Sequence, residues 1–248
     1  MIGIIGGSGL TQLSNLEITR REVVRTPYGE PSGALTFGSL NGHDVVFIAR
    51  HGYGHTLPPH AVNYRANIWA MHAQGVSGLA SVASVGGIRK DFEPGVLAVP
   101  DQIIDYTYGR MHTFFDGPEQ PVTHIDFTHP YCEDLRQELI NSAIEKGIPL
   151  INGGVYAATQ GPRLESAGEI NRLERDGADM VGMTGMPEAA LAREMGLCYA
   201  SITVVANWAA GRGDSAERID LDVIRGVLDV AMEKVRVLLS TLVEKHAD

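Results

Sequence analysis

Short apolar runs alternate with longer stretches of helical spacing from one end of this chain to the other. Runs at residues 2–5, 44–48, 78–83, 95–99, 153–159 and 198–206 predict strands. Their bias to Val, Ile and Ala predicts strands covered on both faces. Residues 59–74, 131–146, 166–176, 187–195 and 220–245 predict helices. Pro187 suits a first helical turn, with Glu188 placed favourably against the N-terminal dipole. Gly196 suits a helix end. Asp220 suits a cap on the last helix, where Val223, Val227, Val230, Met232, Val235 and Leu238 roughly keep one face. Residues 26–33 and 106–128 break the alternation and predict loops. The second is rich in Gly, Pro, His and aromatic residues, and a loop that long in a compact domain is usually functional. With no linker and no internal repeat, the pattern predicts one α/β domain over residues 1–248.

Composition narrows the class. The chain has 248 residues, 44% hydrophobic and 20% charged, close to an ordinary globular protein. No apolar run is long enough to span a membrane. The opening MIGIIGGSGL lacks a basic n-region and reads as a strand rather than a signal peptide. Cys132 and Cys198 belong to no paired motif, which predicts separate thiols in a reducing cytoplasm and no zinc site. The net charge of −10 argues against nucleic acid as a partner. It leaves room for a small anion held by local amides and one arginine.

The candidate chemistry lies mostly where predicted strands end. Gly6-Gly7-Ser8-Gly9 follows the first strand; its glycines let backbone N–H groups approach an anion, and Ser8 adds a hydroxyl. The spacing does not match the dinucleotide-binding GxGxxG pattern, which disfavours a nicotinamide-dependent dehydrogenase. Arg50 and His51 follow the 44–48 strand, with His55 close behind. Arg50 offers a planar fork of donors for phosphate, and the histidines can donate or shuttle protons. Ala83 and Ser84 lie where a strand passes into Gly86-Gly87. Met183 and Thr184 precede the 187–195 helix, where Thr184 suits an anion and Met183 a sugar face. Leu164 and Glu165 follow Thr159-Gln160-Gly161-Pro162, with a surface ion pair between Glu165 and Arg163 as the plain alternative. Asn207, Trp208 and Ala209 end the 198–206 strand, and Asn207 offers both a donor and an acceptor to a base edge.

Taken in order, these segments resemble the purine nucleoside phosphorylase family, trimeric branch, over essentially the whole chain. GIIGGSGL, ARHG, GHTLPPHAVNYRANIWA and GMTGMPEAALAREMGLCYASI are most similar to its methylthioadenosine phosphorylase group. The resemblance implies a twisted, partly barrel-like mixed sheet flanked by helices, a homotrimer, and phosphate as co-substrate with no metal or organic cofactor. It implies a phosphate site from Ser8, Arg50, His51, Ala83, Ser84 and Thr184, with Ala83 offering only its backbone. Met183 is then expected under the ribose. Leu164 replaces an aromatic that packs on the base, and His124 reaches the 5′ pocket of the neighbouring subunit. Catalysis is expected to rest on Asn207, Arg50 and His51.

Two departures set the expected substrate. Adenine-specific members carry Asp-x-Asp where this chain has Asn207-Trp208-Ala209. Inosine and guanosine phosphorylases carry an Asn and a Glu at the positions of Asn207 and Glu165, matching O6 and N1–H of a 6-oxopurine. Those enzymes also use a histidine for the ribose 5′-hydroxyl, and Leu221 stands at the matching position here. An aliphatic residue favours a 5′-methylthio group and leaves a hydroxyl unpartnered. The combined expectation is phosphorolysis of S-methyl-5′-thioinosine to hypoxanthine and 5-methylthioribose 1-phosphate. The alternatives are release of adenine from methylthioadenosine, and a broader 6-oxopurine nucleoside activity.

Overall fold

The computed structural model describes residues 1–10, 13, 15–118 and 121–246. Glu119 and Gln120 of the expected long loop, and the last two residues of the expected domain, lie outside them. The strands are β1 (Ile2–Gly6), β2 (Glu17–Glu22), β3 (Leu35–Leu40), β4 (His43–Ala49), β5 (Gly78–Gly87), β6 (Leu97–Val99), β7 (Gln102–Asp105), β8 (Leu150–Asn152), β9 (Val155–Ala158), β10 (Met180–Gly182) and β11 (Cys198–Trp208). The helices are α1 (Tyr64–Ala73), α2 (Glu133–Glu145), α3 (Ala167–Arg175), α4 (Gly185–Glu194) and α5 (Leu221–His246).

All eleven described strands join one mixed sheet that branches at β5. β11 runs parallel along the whole of one edge of β5. The other edge is shared. Gly78–Ser81 pairs in parallel with β1, and Gly86 and Gly87 pair antiparallel with β10. Between those two contacts the edge at residues 82–85 is left without a strand partner. Backbone groups there are free to meet something other than sheet, in the kind of crevice where open α/β sheets place ligands.

Helices cover both faces. α1 and α4 pack over a core that includes Ile48, Ile68, Met71, Tyr156 and Leu191. α2 and α5 pack over the other, with Leu135, Leu139, Met232, Val235 and Leu242. The helix ends follow local chemistry. Ser166 and Glu169 form a reciprocal capping box at α3. Asp220 Oδ1 accepts from the Asp222 amide at 3.0 Å, as its position in the sequence predicts. Gly196 adopts φ +68° just past α4.

Three expectations need correction. The 59–74 helix is a 3-10 turn at Pro59–Ala61 followed by α1, because Asn63 takes the cap and its Oδ1 accepts from the Ala66 amide. The strand expected over 78–83 runs on to Gly87, where β10 holds its end. Cys132 and Cys198 are not separate thiols: Cys132 at the cap of α2 is disulfide-bonded to Cys198, the first residue of β11. No helix among the described residues is long and apolar enough to cross a membrane.

Candidate active site

A cavity of about 610 Å³ opens at the fork in the sheet. Ser8, Arg50, His51, Ala83, Ser84, Leu164, Glu165, Met183, Thr184, Asn207, Ala209 and Leu221 all line it, so most of the sequence-predicted residues converge. Two do not. Trp208 points away, its indole lying so close to Gly213 that a Cβ there would come within 2.5 Å. Strand alternation explains this, since Asn207 faces the cavity and its neighbour must face out. A register shift between Val205 and Asn207 lets Ala206 and Asn207 both line it. His124 is exposed and takes no part in this chain's own cavity.

The end expected to take phosphate is a buried polar cage. Arg50 is fully buried, and its planar fork is occupied by Glu188 rather than held open for an anion. Nε and Nη2 donate to the two Glu188 oxygens at 2.6 and 2.8 Å. Nη2 also donates to Ser81 Oγ at 2.6 Å, and Nη1 donates to the Val82 carbonyl on the open edge of β5. One Nη1 proton is left over by this count. Burial alone would lower the Arg50 pKa, but the Glu188 carboxylate offsets this and holds it above the ordinary value. Glu188 accepts further from Ser81 Oγ and from Tyr199 Oη, each at 2.8 Å. It sits in the first turn of α4, as expected, and is also the buried partner of Arg50. Gly7 makes the close packing possible: a Cβ there would lie 2.4 Å from the Val82 carbonyl oxygen and 2.9 Å from Arg50 Nη1.

His51 lines the same end of the cavity. Its Nδ1 lies 2.7 Å from the Leu57 carbonyl, which can only accept, so Nδ1 carries the proton. Burial, with the nearby Arg50 charge, lowers its pKa to about 4. The neutral ring keeps a lone pair on Nε2 and is an acceptor there, not a donor. The His55 ring lies 4.8 Å from it, tilted by 48°, and Ser8 Oγ lies 3.5 Å from His55 Nε2.

At the base end, Glu165 is largely buried and not paired with Arg163, which binds Glu169 instead. Thr159 Oγ donates to Glu165 Oε1 at 2.6 Å, and burial raises the Glu165 pKa. Asn207 Nδ2 donates to the Trp208 carbonyl at 2.6 Å, which fixes the amide plane. The far end is aliphatic: Ile219, Leu221, Ile224 and Leu228 line it from the start of α5 and the residues before. Ile224 and Leu228 escaped the sequence reasoning, although their spacing of four places them on one helix face. Glu188 and Tyr199 were missed because nothing local in sequence links them to Arg50. Among the described residues, no group of three or more His, Cys, Asp or Glu is placed to hold a metal ion.

Known proteins resemble this chain along nearly its whole length. The phosphorylase superfamily profile matches residues 1–244. A Xanthomonas campestris protein named a probable S-methyl-5′-thioinosine phosphorylase is 53% identical over 91% of this chain and 90% of its own. The 6-oxopurine nucleoside phosphorylase of Pyrococcus furiosus is 46% identical over 85% of this chain and 80% of its own. The structure of methylthioadenosine phosphorylase from Schistosoma mansoni in complex with adenine superposes with a TM-score of 0.94, at 32% identity, over 99% of this chain and 91% of that one. On the extent of the profile match and these full-length likenesses, the chain belongs to the phosphorylase superfamily.

Proposed function

We propose that this enzyme splits S-methyl-5′-thioinosine with phosphate, releasing hypoxanthine and 5-methylthioribose 1-phosphate. One observation carries the assignment. A single cavity holds Asn207 and Glu165 without an aspartate pair, and is closed elsewhere by Ile219, Leu221, Ile224 and Leu228. The name borne by the Xanthomonas relative supports it.

Phosphate would lie against Ser8, Thr184, the Nη1 of Arg50 and the free backbone near Ser84, with His51 Nε2 accepting a hydrogen bond from P–OH. The C1′–N9 bond breaks first, its electron pair leaving with the purine. The phosphate dianion stabilises the cationic ribose and forms the new C1′–O bond from the opposite face. Asn207 donates to O6 or N7 as charge builds on the base, with Glu165 accepting from N1–H, and the departing purine takes up the proton released from P–OH to become hypoxanthine. Positioning and electrostatics supply the acceleration, with no metal or organic cofactor. We place the reaction in the cytoplasm and in a homotrimer, with the exposed His124 serving a neighbour's cavity.

Initial rates on methylthioinosine, methylthioadenosine and inosine, with and without phosphate, test the assignment. Phosphate-dependent hypoxanthine release fastest from methylthioinosine is expected. Faster release of adenine from methylthioadenosine overturns the base assignment, and cleavage without phosphate overturns phosphorolysis. Asn207→Ala is expected to lower turnover about 100-fold or more, by removing a donor to the leaving group. Unchanged turnover removes its role.

A further inference from the structure

Arg110, in the loop between β7 and α2, is buried and takes no part in lining the cavity. Among the described residues it has no carboxylate partner. Its donors go to neutral acceptors on two separate walls of the site. On the base side, Nε donates to Gln160 Oε1 at 3.1 Å, and Nη2 donates to the carbonyls of Thr159 and Gln160 at 3.2 and 2.9 Å. On the ribose and phosphate side, Nη1 donates to the carbonyls of Met183 and Met186 at 2.8 and 2.6 Å, on either side of Thr184. Nη1 also reaches Tyr64 Oη at 3.3 Å.

An unpaired buried cation is costly, and a bland role as filler does not need one. What only arginine supplies is a rigid plane of five donors. That plane fits a site where four carbonyls from two chain segments converge. The base-side segment matters chemically, because Thr159 orients Glu165 through its hydroxyl. The opposite turn carries Met183 and Thr184. Met183 already touches the base-side segment, since a Cβ on Gly161 would lie 2.4 Å from its sulfur.

We infer that Arg110 is a positioning residue that fixes the Thr159–Glu165 base wall in register with the Met183–Thr184 wall, and so sets base discrimination without touching substrate. The inference deepens the proposed 6-oxopurine specificity and rests on it.

The test is the ratio of kcat/KM for methylthioinosine over methylthioadenosine in Arg110→Gln and Arg110→Lys. A loss of folded enzyme lowers both rates alike and cancels in this ratio. The ratio is expected to fall about tenfold or more in Arg110→Gln, the weight of one well-made hydrogen bond at the base. Arg110→Lys keeps the charge but lacks the plane, and is expected to lie between. An unchanged ratio in both, whatever the loss of rate or Tm, makes Arg110 a structural staple and overturns the inference. Should Arg110→Gln fail to fold, the lysine variant alone decides, by the direction of its ratio. Calorimetric binding of hypoxanthine and adenine gives the same comparison without turnover. Wild-type enzyme that does not cleave methylthioinosine defeats the substrate assignment alone, and Arg110 is then judged on the binding ratio.

Discussion

The two ends of the cavity are built in opposite ways. At the end proposed for phosphate, Arg50, Glu188, Ser81 and Tyr199 form a buried network in which Glu188 joins the other three. At the far end, Leu221 is 59% exposed at the first residue of α5 and makes no polar contact. The first end can change only as a unit; the second can change one side chain at a time. A fold designed this way can keep its phosphate chemistry fixed while its 5′ preference drifts.

The largest expected effect lies at the rigid end. Glu188→Ala leaves Arg50 buried and uncompensated, and is expected to cost about 3–5 kcal/mol in denaturant unfolding. A loss below about 1 kcal/mol would mean that the cage is not the structural unit described. A second, slightly smaller effect comes from His51. The unfolded imidazole takes up a proton near pH 6.5, while the folded one stays neutral down to about pH 4. The unfolded state therefore binds more protons in that window, and stability falls as pH drops through it, by up to about 3 kcal/mol. His51→Gln should flatten this part of the pH–stability curve, and an unaltered slope assigns it to other groups. The smallest effect is expected at the far end. Leu221→His should shift stability by less than about 1 kcal/mol, because the position is half open to solvent. It should raise the kcat/KM of inosine relative to methylthioinosine about tenfold by giving the 5′-hydroxyl a partner. A stability loss as large as that of Glu188→Ala would erase the contrast between the two ends.

How much of this was legible in the sequence follows the same division. Long buried strands such as β1, β5 and β11 announce themselves as Val, Ile and Ala runs. β2 does not: Glu17–Glu22 is exposed along its whole length and carries no alternation. β8 and β10 are three residues each, too short for any period to register. β3 and β7, each beside an expected loop, are not among the expected strands either. In the site, most cavity-lining residues foreseen from sequence sit at strand ends and in glycine-rich turns, where spacing and resemblance point to them. Their supports are distant in sequence. Glu188 reaches Arg50 across 138 positions, and Arg110 reaches Met183 across 73, so only the fold brings them together. The cysteines mark the same limit, since 66 residues separate two side chains that share a bond.

That bond has a topological consequence. The segment between Cys132 and Cys198 contains Leu164, Glu165, Met183 and Thr184, so the cross-link encloses two of the cavity's walls in a covalently closed ring. A single backbone cut inside the ring severs the chain without separating its two pieces. The oxidised protein can thus be nicked beside its own site and remain one molecule.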